Sequence, residues 1–287
     1  MSAGQARWMA LAAALLFSTG GAGIKVEAFD AWQVSAMRSG IAAMALTLWL
    51  RGRLRWSWRI AAAGLVYAVM LTLFVTSTKL TTAANAIFLQ STAPLYLLVL
   101  SPVSLGERFR RRDGAFLVVL AIGMLLCVVG RPAATATAPN PALGDLLGAA
   151  SGFVWALTLV TLRYVGRADT VGASTISAVV AGNAFACLGA LPIAWPLPAA
   201  PPAQWATLVY LGVFQIGLAY IFLAGAVRRL PALETSLLLL LEPVLNPIWT
   251  WMIRGEDPGP WTIAGGAVII VATALKLLYE ARRPDVQ

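Results

Sequence analysis

Apolar runs of about twenty residues, each long enough to cross a bilayer as a helix, recur along nearly the whole chain. No water is present in the hydrocarbon core to satisfy backbone N–H and C=O groups, so only helices and closed barrels can span it. Ten runs fall near residues 7–25, 32–50, 58–78, 81–102, 112–130, 144–165, 171–192, 204–226, 231–253 and 260–280. They predict an all-α polytopic membrane protein with ten transmembrane helices. Charged residues are only 11% of the 287, against roughly 25% in soluble domains, which excludes an ordinary soluble fold. The first run, Trp8 to Ile24, has a signal-peptide-like core. Its glycine-rich end lacks a small-residue cleavage pattern, so it reads as helix 1.

A longer-range pattern organises these runs. The stretch Thr81 to Arg108 is followed about 149 positions later by one of the same plan, Leu230 to Asp257. Pro94 falls on Pro243, Gly106-Glu107 on Gly255-Glu256, Lys79 on Arg228 and Asn85 on Glu234. Each copy is an apolar helix with a proline near its middle and Gly-Glu at its far end. A repeat of this length must be settled before the fold is read. It divides the chain into a five-helix unit over 1–130, a Pro-, Ala- and Thr-rich connection over 131–143, and a second five-helix unit over 144–287. Five is odd, so the second unit enters the membrane from the opposite side.

The net charge of +9 would suggest nucleic acid in a soluble chain, but here its placement predicts topology and no nucleic-acid partner. Short cytoplasmic loops are enriched in Lys and Arg. With both termini inside, the inner side holds sixteen of the 21 basic residues, among them Arg51, Arg53, Arg55, Arg59, Arg108, Arg110, Arg111 and Arg112. The outer side holds Lys25, Arg38, Lys79, Arg131 and Arg254. The expected location is a bacterial inner membrane.

Several chemistries are excluded by residue type. There is no histidine, which removes imidazole proton shuttles, Ser-His triads and the commonest zinc ligand. Cys127 and Cys187 sit inside apolar runs and read as small core residues. The chain contains no His-Glu-x-x-His, Gly-x-Ser-x-Gly, Asp-rich metal motif or Walker A sequence. The expectation is therefore no enzyme, no metal, no cofactor and no ATP-driven pump in this chain alone.

The paired motifs Ala93-Pro94 to Gly106-Glu107 and Glu242-Pro243 to Gly255-Glu256 resemble the two repeats of the drug/metabolite transporter superfamily, specifically its EamA-type ten-helix members. Helices 1 and 6 fit as well, with Phe17 eight residues before Lys25 and Trp155 eight before Arg163. The resemblance covers nearly the whole chain and is closest to the superfamily's exporters of aromatic amino acids. It implies export of small metabolites, often amino acids, by alternating access around a central cavity lined by helices 1, 3, 4, 6, 8 and 9. Inverted repeats place such a site near the bilayer midplane, and two repeats in one chain imply a functional monomer.

Glu242 is the acidic residue nearest the middle of a predicted span. A charge at the bilayer centre costs about 2.5–3.5 kcal/mol on insertion scales, so such residues face a cavity or a partner. Two accounts are open: Glu242 contacts a substrate ammonium or titrates as a switch, or it is held by neighbouring helices. On helix 4, Asn85, Phe88, Thr92 and Tyr96 share a face, and on helix 9 Leu238 and Glu242 share the corresponding one. These two faces are expected to point at one cavity. Trp155 and Thr158 of helix 6, Tyr67 and Phe74 of helix 3, and Gln215 and Tyr220 of helix 8 are further candidate lining. Either Lys79 or Lys25 could draw a substrate carboxylate to the outer mouth; snorkelling to the interface is the plainer reading of Lys25. Pro94 and Pro243 are expected to kink helices 4 and 9 and serve as hinges. A mostly apolar lining suits neutral or aromatic amino acids. The alternative substrate class is lipophilic cations with Glu242 as counter-charge. Phosphorylated metabolites would need deep basic residues, whereas Lys and Arg here fall near predicted span ends.

Overall fold

A computed structural model describes residues 2–25, 28–93, 95–96, 111–129, 133–166, 173–227, 230 and 238–281. Pro94, Gly106, Glu107, Arg228 and Glu234 lie outside the described residues. All regular elements among the described residues are helical. The first pass is α1 (Ala3–Ser18) with α2 (Gly20–Ile24); α3 (Ala31–Leu50) and α4 (Trp58–Leu80) follow, and α5 (Ala83–Gln90) opens the fourth run. Next come α6 (Arg111–Val129), α7 (Pro141–Gly166) and α8 (Ala173–Ala194). One pass is then made of α9 (Pro202–Tyr210), a π-helical segment (Leu211–Leu218) and α10 (Ala219–Val227). The chain continues through α11 (Leu241–Arg254) and α12 (Pro260–Ala281).

The helix starts follow from local chemistry. Ser2 with Gln5, and Asp30 with Gln33, form capping boxes at α1 and α3, each satisfying orphan N–H groups reciprocally. Ser57 and Thr82 cap α4 and α5 through their hydroxyls. Proline stands first in α7, α9 and α12, where its missing N–H removes no hydrogen bond.

Among the described residues, α4, α7, α8 and the pass over Pro202–Ala226 are each long and apolar enough to cross a membrane. Their outer faces match that reading, since Leu65, Leu146, Leu188 and Phe214 stand exposed. Such faces would each forfeit about 25 cal/mol per Å² in water, whereas lipid tails solvate them. The first run, expected to be unbroken, is interrupted at Thr19, and the ninth, expected to kink at Pro243, is interrupted at Leu240.

The two halves of the chain interlace. α3 lies along α8, α4 along α7 and α8, α6 along α12, and α1 along α10 and α11. Glycines bring these axes close. A Cβ at Gly64 would stand 2.9 Å from the backbone nitrogen of Gly182, and one at Gly152 would stand 2.8 Å from the Leu89 carbonyl oxygen. Gly148 and Gly152, the predicted small-residue pair, thus let α7 pack directly onto α5.

Candidate functional site

Three helical runs break within the bundle, and at two of the breaks serine and threonine hydroxyls satisfy carbonyls of the preceding turn. At the first, Ser18 and Thr19 donate to the carbonyls of Leu15 and Leu16, both at 2.7 Å. At the end of α5, Ser91 donates to Ile87 at 2.7 Å and Thr92 to Leu89 at 2.6 Å. The third break, at Leu240, has a backbone of φ −62°, ψ −13°, close to that of Ser91 at φ −67°, ψ −4°. Ser91 and Leu240 lie 149 residues apart, the spacing of the two proline motifs. Pro243 therefore stands in the first turn of α11, where a ring costs nothing. The run is interrupted three residues before it rather than kinked at it, and Pro247 is the proline inside that helix.

Depth follows from helix length. Ala83 N donates to Glu256 Oε1 at 2.6 Å, which brings the start of α5 to the end of α11. At 1.5 Å per residue, the eight residues of α5 and fourteen of α11 put their breaks about 12 and 21 Å from that contact. Those distances lie on either side of half the thickness of a roughly 30 Å hydrocarbon core.

Polar and aromatic groups converge on the break in the first pass. Trp249 Nε1 donates to Ser18 Oγ at 2.9 Å, and the Tyr210 and Thr19 hydroxyls lie 3.1 Å apart. The Phe17 ring meets Tyr220 edge-on at 5.2 Å, and Tyr220 meets Tyr67 the same way at 5.7 Å. Gln215, on the π-helical segment, reaches the Phe17 carbonyl at 3.5 Å. π-Helical turns are rare and concentrate at functional sites.

Two opposite charges flank this aromatic row. Arg38, on α3, is only 1% exposed, and its Nε and Nη2 have no hydrogen-bond partner. It lies within Coulomb reach of Tyr67 and Tyr220. Glu242, half-buried in the first turn of α11, is within Coulomb reach of Tyr220. No ion pair joins Arg38 to Glu242 among the described residues. Tyr67 faces Tyr220 and Asn183, yet its hydroxyl meets no hydrogen-bond geometry. Ser35, Ser39 and Asn183 carry further unsatisfied buried oxygens in α3 and α8. Arrangements of this kind bind polar solutes: a dry aromatic wall with a few unspent polar groups converging on it.

One end of the bundle is sealed. Lys25 is buried, with Nζ 2.7 Å from Glu256 Oε2. That approach lies outside hydrogen-bond alignment, so it is a charge contact; the ammonium donates instead to the carbonyls of Thr81, at 2.7 Å, and Thr137. The Gly-Glu motif has a physical reason here. Gly255 ends α11 at φ 64°, ψ 18°, a left-handed cap that glycine adopts without strain, and this turns Glu256 back onto Lys25 and Ala83. Beside it, Asp145 Oδ1 accepts from Thr81 at 2.7 Å and Asn85 at 3.0 Å. Asn85 also donates to the Cys127 carbonyl and accepts from Thr262 at 2.8 Å.

The predicted residues therefore separate. Glu242, Tyr67 and Tyr220 gather at the charged aromatic cluster. Asn85 is committed to the sealed end, where its amide is fully engaged. Phe88 packs on Gly266 of α12, and Tyr96 donates to the Ala149 carbonyl at 3.3 Å with its ring against Phe153. Thr92 and Thr158 spend their hydroxyls on carbonyls of their own helices. Phe74 and Trp155 join the main apolar core, and Leu238 packs against Ala6, Ala10, Ala226 and Leu230. Lys79 donates to the Phe29 carbonyl. Replacing Asn85 by alanine should cost about 1–3 kcal/mol, because Asp145 and Thr262 each lose a buried partner; thermal unfolding in detergent measures it.

Sequence reasoning missed Arg38 and misread Lys25. Arg38 counted as an outer basic residue because it follows the start of a run by few positions, yet it lies within α3 and is buried. Its signal was a lone arginine with apolar residues on both sides. Lys25 is a buried ion-pair partner rather than a snorkelling residue, and nothing local in sequence links it to Glu256.

Comparison with known proteins accords with this architecture. The EamA-like transporter family matches over residues 6–129 and 142–278. The pseudopaline exporter CntI of Pseudomonas aeruginosa strain UCBPP-PA14 is 29% identical over 66% of this chain, a match spanning 64% of that relative's length. The aromatic amino acid exporter YddG of Ancylobacter novellus is 25% identical over 73% of this chain and 72% of its own. A solved crystal structure shares the fold with TM-score 0.66 at 22% identity, over 98% of this chain and 99% of that one. With both halves matched, the chain belongs to the EamA-like transporter family.

Proposed function

We propose that this protein is a secondary transporter that exports small amphipathic zwitterions, neutral and aromatic amino acids above all, by alternating access. The observation that carries the reading is the Glu242 carboxylate: it lies beside Tyr220 at a helix break, and no hydrogen bond from the described residues engages it. A carboxylate so placed suits an ammonium group, and the Phe17, Tyr220 and Tyr67 rings suit an apolar side chain. Relatives named as exporters of pseudopaline and of aromatic amino acids support the class. The substrate route runs between two inverted units, 1–130 and 144–287; the matching breaks at Ser91 and Leu240 and the two-part family match support that division. Pro94 and Pro243, adjoining those breaks, act as hinges.

The Lys25–Glu256 contact closes the outer side in this conformation, and its release opens it. Setting the buried Lys25 and Arg38 aside leaves Lys79, Arg131 and Arg254 on the outer side, which strengthens the case for cytoplasmic termini and a bacterial inner membrane. The pseudo-symmetric pair is complete in one chain, so a monomer suffices. A second reading, efflux of lipophilic cations, draws on the same Glu242 and aromatic rings.

Uptake of labelled L-phenylalanine into proteoliposomes tests the choice. The amino-acid reading expects saturable uptake that unlabelled neutral amino acids compete away and tetraphenylphosphonium does not. Entry of the cation with no amino-acid uptake would transfer the assignment to cation efflux.

A further inference from the structure

The shape of what Arg38 leaves unsatisfied narrows the ligand. A guanidinium presents five N–H donors in a planar fork, and Nε and Nη2 form one edge of it, with N–H bonds directed the same way. That edge matches the two oxygens of a carboxylate. In this structure both nitrogens of that edge are fully buried and without a protein acceptor. The side chain is 1% exposed, so bulk water does not take the role. No carboxylate of the described residues pairs with it either, although burying an unpaired charge is among the costliest things a fold can do. More unspent buried polar atoms lie on α3 and on the helices packed about it, Ser35 and Ser39 on α3 itself, Tyr67 on α4 and Asn183 on α8. Tyr220 is within Coulomb reach of both Arg38 and Glu242.

We propose that Arg38 is the carboxylate anchor of the transported solute, which makes the site selective for carboxylate-bearing zwitterions over amines of the same shape. The inference rests on the amino-acid export reading and deepens it. Arg38 takes the carboxylate through its Nε–Nη2 edge, Glu242 takes the ammonium across Tyr220, and the side chain lies against the aromatic row. Anchoring at both charges rejects a lipophilic cation, which would leave the guanidinium buried against it without an acceptor.

The test is competition against labelled L-phenylalanine uptake in proteoliposomes of the full chain. The competitors are unlabelled L-phenylalanine and phenethylamine, the same molecule without its carboxylate. Wild-type protein should favour phenylalanine by about tenfold to 100-fold, the range of one charge-assisted hydrogen bond. Arg38→Gln should raise the phenylalanine KM by a similar factor and erase most of that preference. Arg38→Lys, which keeps the charge and loses the fork, should fall between. A wild type inhibited equally by both competitors overturns the proposal with no variant needed. So does an Arg38→Gln protein with unchanged KM and unchanged preference, a result that leaves the export reading intact. Wild-type protein that takes up no phenylalanine removes the export reading itself, and the anchor with it.

Discussion

Alanine at position 256, with Lys25 left in place, is expected to destabilise the folded protein by about 3–5 kcal/mol, the cost of stranding a buried charge. Glu256 meets two groups, the Lys25 ammonium as a charge contact and the first N–H of α5 as a hydrogen bond. The double variant Lys25→Met/Glu256→Leu should recover most of that loss, because removing both charges removes the desolvation penalty with them. What stays lost is the cap on α5, about 1 kcal/mol, together with the donor to the Thr81 and Thr137 carbonyls. Thermal unfolding of the single and double variants in detergent measures the difference. Equal destabilisation by both variants would mean that the residues contribute packing rather than a paired charge. On the alternating-access proposal the same contact holds that end of the bundle shut, and weakening it shifts the balance toward the open form.

The second large effect belongs to Glu242. Glu242→Gln keeps the shape and removes the charge, so amino-acid uptake should fall by about tenfold to 100-fold through KM, the loss of one charge-assisted hydrogen bond. Uptake of a lipophilic cation, where it occurs, should vanish, because there the carboxylate is the sole counter-charge. Running the same variant under an imposed pH gradient separates two roles: a carrier of protons loses gradient stimulation, whereas a pure ammonium contact retains the same fold stimulation at a lower rate. Unchanged KM in Glu242→Gln would make the residue structural.

Elements whose signals are local were legible in the sequence. Helix runs follow from the bilayer's demand on the backbone, and the starts at Ser2, Asp30, Ser57 and Thr82 follow from capping chemistry. Tyr67, Tyr220 and Glu242 were singled out because a polar or aromatic group in an apolar run must face something. Other expectations turned on contacts between runs, which no single run encodes. The helix 4 face of Asn85, Phe88 and Tyr96 has the periodicity of a cavity lining, yet α6, α7 and α12 pack against it. Periodicity identifies a distinct face and does not say what fills the space beside it. Arg38 and Lys25 were assigned to the interface by distance from a span end, while burial is decided by partners far along the chain: Glu256 for one, and the α4, α8 and π-helical surfaces for the other. The exact places of the breaks at Thr19 and Leu240 were also hidden: Gly20 and Gly21 after the first lie within an unbroken apolar run, and the second falls three residues before Pro243.

The central claim is that one buried site is exposed to each side in turn, and counterflow tests it most directly. Proteoliposomes preloaded with unlabelled L-phenylalanine are diluted into a trace of the labelled amino acid. Alternating access predicts that label enters faster than into empty vesicles and rises transiently above its equilibrium level, because inward-loaded carriers return occupied. A smooth rise to equilibrium at one rate, with or without preloading, would contradict the account.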